Sequence, residues 1–167
     1  GIKVDTGAQD LAGHPGEKVT EGLDGLRARF AEYHELGARF SKWRAVITIG
    51  DGIPTDACLH VNAHALARYA ALSQEAGIVP IVEPEVLMDG GHDIETCAQV
   101  TEWVLKEVYQ QLFYQNVALE GTVLKPNMVV PGKKCAKQAA VEEVARRTVQ
   151  ILKRCVPPAV PGIAFLS

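Results

Sequence analysis

Pairs of polar residues two positions apart interrupt four apolar segments of this 167-residue chain. Alternate residues of a β-strand point to the same face, so each pair would project its polar groups to one side and its apolar neighbours to the other. Ionisable groups are costly to bury unless they are paired or used. The pattern therefore predicts strands with helix-covered outer faces and inner faces that line one polar site. The pairs are Lys3/Asp5, Lys42/Arg44, Glu83/Glu85 and Lys125/Asn127.

Lys125 stands near the end of the hydrophobic segment LEGTVLKPNMVVPG. A neutral lysine amine attacks a carbonyl carbon to form a Schiff base, and burial or neighbouring cations such as Lys42 and Lys3 favour the neutral form. The chemical interpretation is therefore a Schiff-base nucleophile. The alternative is a lysine that extends from a strand end into solvent. The chain pattern alone leaves both interpretations open.

Glu83 and Glu85 could divide acid and base roles, because two carboxylates in different environments can hold protons with different strength. The alternative is a structural role in ion pairs with Lys42, Arg44 or Lys3. Both interpretations can hold at once, since charge pairing is one of the effects that tune a catalytic carboxylate.

Lys42 and Arg44 together are typical of a clamp for a phosphate or carboxylate group. The alternative is a charged strand edge, against which the apolar run after Arg44 argues. Ser167, the last residue of GIAFLS, could begin a phosphate-binding loop after a late barrel strand. The alternative there is an ordinary loop serine.

His60 and His64 form an H-x-x-x-H pattern, which would place both rings on one helix face. A zinc site requires three or four ligands, and no glutamate follows His60 as it would in H-E-x-x-H. We therefore interpret the two histidines as solvated helix residues, and we expect neither a metal nor another cofactor.

Composition narrows the class of protein. The chain is 47% hydrophobic and 22% charged, with a net charge of only −3, so no basic footprint for nucleic acid is present. No apolar run approaches the roughly 20 residues that span a bilayer. The four cysteines are scattered and are expected to be reduced thiols. We expect a cytoplasmic protein with neither nucleic-acid nor membrane partners.

Five strand candidates alternate with long helical patterns at a recurring interval of roughly 40 residues, which is typical of βαβ units and a parallel sheet. The chain begins and ends inside apparent strands, and five strands are too few to close an eight-stranded barrel. We therefore expect residues 1–167 to form part of one (β/α)₈ barrel domain and to lack activity in isolation. The strand candidates are 2–5, 43–49, 78–83, 119–125 and 162–167; the helical patterns cover 20–36, 55–77, a stretch from about 93, and 141–152.

Taken together, these segments resemble class I fructose-1,6-bisphosphate aldolases. The likeness covers essentially the whole chain in order, and it implies a (β/α)₈ barrel of which this chain supplies about strands three to seven. The matching stretches are GIKVDTG, EGLDGL, FSKWRAVITIG, ARYAALSQEAGIVPIVEPEVLMDGGHD, LEGTVLKPNMVVPG and VPPAVPGIAFLS.

The resemblance implies a role for each candidate residue. Lys125 in LKPNM corresponds to the Schiff-base lysine, and Glu83 in VEPE corresponds to the general acid/base residue. Thr6 departs from the lysine that is common after IKVD, and we assign it no role. The remaining correspondences are Glu85 beside the acid/base residue, Lys42 as a site lysine, Arg44 as a phosphate contact, Lys3 in the same charged cluster, and Ser167 at the start of a phosphate-holding loop.

The implied reaction is the reversible cleavage of fructose 1,6-bisphosphate into dihydroxyacetone phosphate and glyceraldehyde 3-phosphate through an iminium. A phosphorylated sugar would be the substrate, and the full-length protein would be a cytosolic homotetramer. Two other hypotheses remain: another Schiff-base barrel lyase, which the number of phosphate sites would distinguish, and a catalytically inert fragment or scaffold.

Overall fold

Strands and helices alternate along the chain in the computed structural model, which describes residues 1–165. Within that part of the chain, no helix has the length and apolar character needed to cross a membrane. The strands are β1 (Ile2–Lys3), β2 (Gly7–Asp10), β3 (Lys18–Glu21), β4 (Phe40–Ile47), β5 (Val79–Val86) and β6 (Val123–Leu124). The helices are α1 (Leu26–Glu35), α2 (Asp56–Glu75), α3 (Ile94–Tyr114) and α4 (Val141–Cys155), with a short 3₁₀ turn at Leu119–Gly121.

A four-stranded parallel sheet in the order β1-β4-β5-β6 forms the centre of the fold. Ile163 continues the sheet as an isolated parallel bridge to Leu124. The crossovers between β4, β5 and β6 each contain a helix, as parallel neighbours require. The predicted parallel α/β arrangement is therefore present. A strand overlaps each of the first four predicted segments, although residues 119–121 of the fourth form a 3₁₀ turn, and the described part of the last segment contains the bridge at Ile163.

An antiparallel hairpin of β2 and β3 was not expected from the sequence. Its strands are short and lack apolar alternation, so the helical pattern was wrongly extended back to Thr20. Thr20 instead lies in β3, where its hydroxyl donates to the carbonyl of Arg44 at 2.7 Å and its N–H donates to Asn62 Oδ1 at 3.2 Å. Helix α1 starts only after Gly25, whose φ of 67° is readily accessible to glycine.

The predicted helix boundaries at Thr55 and Asp93 are confirmed by their hydrogen bonds. The Thr55 hydroxyl accepts from the N–H of Cys58 at 3.2 Å, and the Asp93 carboxylate accepts from the N–H of Thr96 at 2.8 Å. Each side chain satisfies a backbone donor that a helix start leaves without an intrahelical partner. Gly77 follows α2 with a φ of 69°, as a helix stop requires.

The outer face of the sheet packs on the helices through a buried aromatic stack. Tyr69 of α2 lies between Trp43 of β4 and Phe30 of α1, with ring centroids 5.6 and 6.3 Å away. The Tyr69 hydroxyl donates to the carbonyl of Ile81 at 3.1 Å and contacts Ser41 Oγ at 2.9 Å. Because all these side chains occupy the helix-facing side, the other side of β4 and β5 is left for polar residues.

Two loops at the carboxyl edge of the sheet interlock after β5 and β6. The N–H groups of Gly132 and Lys133 donate to the carbonyls of His92 and Met88 at 2.8 and 2.7 Å. Gly132 lies so close to Gly90 that an added Cβ would overlap the Gly90 carbonyl and stand 3.2 Å from His92 Cε1. The close approach of two backbones therefore requires glycine at position 132.

Replacing Gly132 with alanine should lower the free energy of unfolding by at least about 2 kcal/mol, because the clash is with backbone that cannot rotate away. Gly91→Ala is the matched control, since a Cβ there would meet only the carbonyl oxygen of Lys134 at 4.0 Å. Urea denaturation of the full-length protein measures both. Equal stability of the two variants would contradict the interlock.

Candidate active site

Ionisable side chains gather on the face of the sheet opposite the aromatic stack. In β4 the side chains of Ser41, Trp43, Ala45 and Ile47 are buried towards the helices, whereas Lys42 and Arg44 alternate with them on the other face. The parallel register pairs Arg44 with Glu83 of β5 and Ile81 of β5 with Val123 of β6. Two residues further along that register, Lys125 comes beside Glu83.

Glu83 is the centre of this face. Its side chain is only 3% exposed, and its carboxylate contacts the ammonium groups of two lysines, one in β4 and one directly after β6. Lys42 Nζ lies 3.0 Å from Oε2, and Lys125 Nζ contacts Oε1. The lysine side chains are themselves 26% and 18% exposed. One buried carboxylate thus stands between two partly buried cations, and it can be desolvated because both neutralise it.

Arg44 and Glu85 form a second ion pair further along the same two strands. The guanidinium Nε of Arg44 donates to Glu85 Oε2. This hydrogen bond raises the pKa of Arg44 above its ordinary value, so the guanidinium stays charged. Glu85 therefore orients a permanent cation at the rim of the site.

Lys3 lies on the same face but pairs with a different carboxylate. Its Cα is in register with that of Lys42, yet its ammonium contacts Asp5 Oδ1 at 2.6 Å, and its side chain is 53% exposed. The buried Asp5 carboxylate also accepts from the N–H of Gly7 at 3.1 Å and from the N–H of Arg44 at 3.2 Å. The spacing of Asp5 from Lys3 indicates a shared face, but it does not reveal that the Asp5 carboxylate binds the backbone of β4.

Asn127 does not join the polar face on which its spacing from Lys125 would place it. Its amide instead contacts the N–H of Val86 and the hydroxyl of Thr101 in α3. The two-residue alternation fails here because β6 ends at Leu124. Ser167, predicted to begin a phosphate loop, lies outside the described residues.

His60 and His64 lie on α2 and their rings face α3 rather than the polar face of the sheet. Their Nδ1 atoms stand 3.0 Å from Glu107 Oε1 and 3.3 Å from Gln111 Oε1. Across residues 1–165, no three histidine, cysteine or acidic side chains are arranged to hold a metal ion. The two histidines therefore bridge helices through hydrogen bonds.

The arrangement of Lys42, Glu83 and Lys125 is suited to proton transfer next to an amine. A carboxylate in contact with an ammonium can take its proton, which leaves a neutral amine able to attack a carbonyl. The charge of Lys42 would give the region around Glu83 and Lys125 a positive potential, which favours the binding of anionic ligands. Such a site could form and hydrolyse an imine.

Comparison with protein families shows one match along the whole chain. A family model described as fructose-bisphosphate aldolase class-I matches residues 1–167. The chain is 66% identical over 167 residues to the probable fructose-bisphosphate aldolase class 1 of Xanthomonas campestris pv. campestris, covering all of this chain and 50% of that relative. It is 56% identical to fructose-bisphosphate aldolase 4, cytosolic, of Arabidopsis thaliana, of which it covers 42%. The chain thus spans about half the length of the curated relatives it matches.

A solved structure has the same fold as this chain. The fructose-bisphosphate aldolase from Plasmodium falciparum, crystallised in complex with TRAP and a small-molecule inhibitor, matches with a TM-score of 0.98 at 50% identity. The match covers 99% of this chain and 48% of that one. It confirms the expected fold class, a segment of a (β/α)₈ barrel.

Replacing Glu83 with glutamine should destabilise the protein by about 3 kcal/mol, because it leaves two partly buried ammonium groups without their counter-charge. Glu85→Gln is the matched control. It removes a pair whose arginine and glutamate side chains are 42% and 29% exposed, and it should cost less than about 1 kcal/mol.

Urea denaturation at neutral pH, followed by tryptophan fluorescence, compares these two variants of the full-length protein. If Glu85→Gln lowered the free energy of unfolding as much as Glu83→Gln, Glu83 would not be the buried centre of the site.

Proposed function

Because this chain belongs to the class I fructose-bisphosphate aldolase family, we propose that the protein containing it cleaves fructose 1,6-bisphosphate to dihydroxyacetone phosphate and glyceraldehyde 3-phosphate. The single observation that supports the chemistry is the contact of the Lys125 ammonium with the buried Glu83 carboxylate. It brings an amine and its proton acceptor together at the carboxyl edge of a parallel sheet, where barrel enzymes carry their active sites.

The first step would begin with transfer of the Lys125 proton to Glu83. The neutral amine then attacks the C2 carbonyl carbon of the sugar and forms a carbinolamine. Glu83 returns a proton to the carbinolamine hydroxyl, which leaves as water, and an iminium between Lys125 and C2 results. Burial of Glu83 keeps bulk water from competing for this proton.

The second step would use the iminium as an electron sink. The Glu83 carboxylate, ionised again after the dehydration, takes the proton of the C4 hydroxyl, and the C3–C4 bond breaks. Its electron pair forms the C2=C3 double bond of an enamine, while the π pair of the C2=N bond moves onto the nitrogen. Glyceraldehyde 3-phosphate leaves as the aldehyde. Protonation of the enamine at C3 restores the iminium, and hydrolysis with proton transfers through Glu83 releases dihydroxyacetone phosphate and the free lysine.

Cations on either side of Glu83 would hold the substrate phosphates. Arg44 is oriented by Glu85 and is permanently charged, which suits it for a phosphate contact. Lys42 and Lys3 would add positive potential, and Ser167 would contribute to a phosphate loop by its likeness to the family motif. The proposed chemistry requires no metal and no other cofactor.

The cellular setting also follows from family likeness. Several plant relatives are named cytosolic aldolases, and we propose a cytosolic location for the full-length protein. We also propose that the full-length protein is a homotetramer that takes a phosphorylated sugar as substrate. We expect it to bind neither nucleic acid nor membranes.

Family membership favours this function over the other hypotheses from the sequence. A Schiff-base lyase for another sugar would share Lys125 and Glu83 but would not need two phosphate sites. An inert scaffold would have no need to bury a carboxylate between two lysines, an arrangement that costs desolvation energy.

Borohydride reduction in the presence of dihydroxyacetone phosphate should attach the three-carbon unit covalently to Lys125 in the full-length protein, because reduction converts the iminium into a stable amine. Peptide mass mapping locates the adduct. Lys125→Met should abolish both the adduct and turnover of fructose 1,6-bisphosphate. Lys106→Met should change neither, since Lys106 lies on the exposed surface of α3, where it pairs with Glu102.

An adduct on Lys42 or Lys3 would overturn the assignment of the nucleophile. Trapping on Lys125 without measurable cleavage of fructose 1,6-bisphosphate would instead favour another Schiff-base lyase.

A further inference from the structure

The hydrogen-bond ladder between β5 and β6 is interrupted beside Lys125. β6 pairs with β5 only at Val123 and Leu124, and the last backbone bond runs from the N–H of Lys125 to the carbonyl of Val82 at 2.8 Å. The next residue on the β6 side is Pro126, and Pro84 of β5 stands at the matching point of its strand. Pro84 has no N–H to donate to the carbonyl of Lys125. The ladder therefore stops where the proposed nucleophile begins.

Val86 is the next residue of β5 with a donor that points towards β6. The following N–H, that of Leu87, donates in the opposite direction to the carbonyl of Ile47 in β4 at 2.8 Å, and successive peptide groups of a strand point to opposite sides. A buried backbone N–H without a partner is costly. The Asn127 side chain satisfies it, because Oδ1 accepts from the N–H of Val86 at 3.1 Å.

The other end of the Asn127 amide is anchored as well. Its Nδ2 donates to the hydroxyl of Thr101, a buried residue of α3, at 3.1 Å and to the carbonyl of Met128 at 3.0 Å. The Asn127 amide thus accepts one hydrogen bond through Oδ1 and donates two through Nδ2, so both of its N–H groups and its oxygen have partners. Asn127 thus bridges β5 to α3 through a side chain that cannot rotate freely.

We propose that Asn127 is a positioning residue that sets the separation between the Lys125 amine and the Glu83 carboxylate. Asn127 follows Lys125 by two residues, and Val86 follows Glu83 by three, so the bridge joins the two segments that carry the reacting groups just beyond them. The inference rests on the proposed function for its kinetic consequence. Asn127 touches neither the substrate nor the reacting atoms in this role.

The test compares Asn127→Leu with Thr101→Val and Gln138→Ala in the full-length protein. Leucine has nearly the shape of asparagine without its polar atoms. Thr101→Val removes the α3 anchor of Asn127, together with the long contact of that hydroxyl with Cys97 Sγ at 3.9 Å. Gln138→Ala is the matched control. The Gln138 amide donates to the carbonyls of Gly132 and Cys135, in the loop between β6 and α4, and forms no hydrogen bond with β5 or Thr101.

Asn127→Leu should lower kcat for fructose 1,6-bisphosphate by about 10- to 100-fold, since misplacement by about 1 Å can cost on the order of 10²-fold. KM should stay within about 3-fold, because the phosphate contacts are unchanged. Thr101→Val should lower kcat by about 3- to 10-fold, because the bond to Val86 remains, and Gln138→Ala should leave both constants unchanged.

A second readout does not depend on aldolase activity. Reductive methylation with formaldehyde and cyanoborohydride at neutral pH, mapped by mass spectrometry, gives a time profile that reports how accessible the amine of each lysine is. In Asn127→Leu the time profile of Lys125 should move towards that of Lys106, because the Lys125 side chain, 18% exposed against 60% for Lys106, is no longer held against Glu83. Gln138→Ala should keep the profile of the unsubstituted protein.

An unchanged kcat together with an unchanged methylation profile would overturn the proposal, even if the melting temperature fell. If Asn127→Leu does not fold, Thr101→Val decides, and unchanged kcat and profile in that variant would equally overturn it. If the unsubstituted protein does not cleave the sugar bisphosphate, the proposed function fails, and the methylation profiles alone then decide whether Asn127 positions Lys125.

Discussion

The burial of Glu83 between Lys42 and Lys125 is the constraint on which the rest of this structure depends. A carboxylate that is 3% exposed is tolerable only if both cations remain at contact distance, because an uncompensated buried charge costs several kcal/mol. Lys42 and Glu83 lie in β4 and β5, and Lys125 directly follows β6. The lateral spacing and register of these strands must therefore keep both contacts in place, and the surrounding elements hold that spacing.

Two kinds of contact hold that spacing. On the helix side, the stack of Phe30, Tyr69 and Trp43 and the hydroxyl of Tyr69 tie α1 and α2 to β4 and β5. At the carboxyl edge, side chains replace backbone groups where short strands end. Asp5 accepts from the N–H of Arg44 beyond β1, and Asn127 accepts from the N–H of Val86 beyond β6. Beyond the ends of β1 and β6, side-chain oxygens thus accept hydrogen bonds from N–H groups of the two long central strands, in place of backbone carbonyls.

This arrangement connects stability with chemistry. Strands that stopped without these acceptors would leave buried donors unsatisfied, and strands that continued regularly would carry their side chains onwards in strict alternation. Ending β6 at Leu124 lets the chain turn at Pro126 and sends Asn127 to α3, while Lys125 stays on the inner face beside Glu83. The loop after β6 then packs against the loop after β5 at the carboxyl edge, where the backbones of Gly132 and Gly90 approach closely. The reacting pair is held by groups that themselves remain outside the proposed reaction.

The sequence by itself determined the parallel α/β class, the helix starts at Thr55 and Asp93, and the common face of Lys42, Arg44, Glu83, Glu85 and Lys125. All of these follow from local rules, namely strand alternation, capping and the helical period. It did not determine the β2–β3 hairpin, whose strands are held by contacts with the distant residues Arg44 and Asn62. Nor did it determine which carboxylate meets which cation. Lys3 pairs with Asp5, and Asn127 contacts Thr101 instead of the polar face, because the available partners depend on the register between strands and on where each strand ends. Only the tertiary structure decides those, since the competing pairings have the same local sequence and differ only in three-dimensional distance.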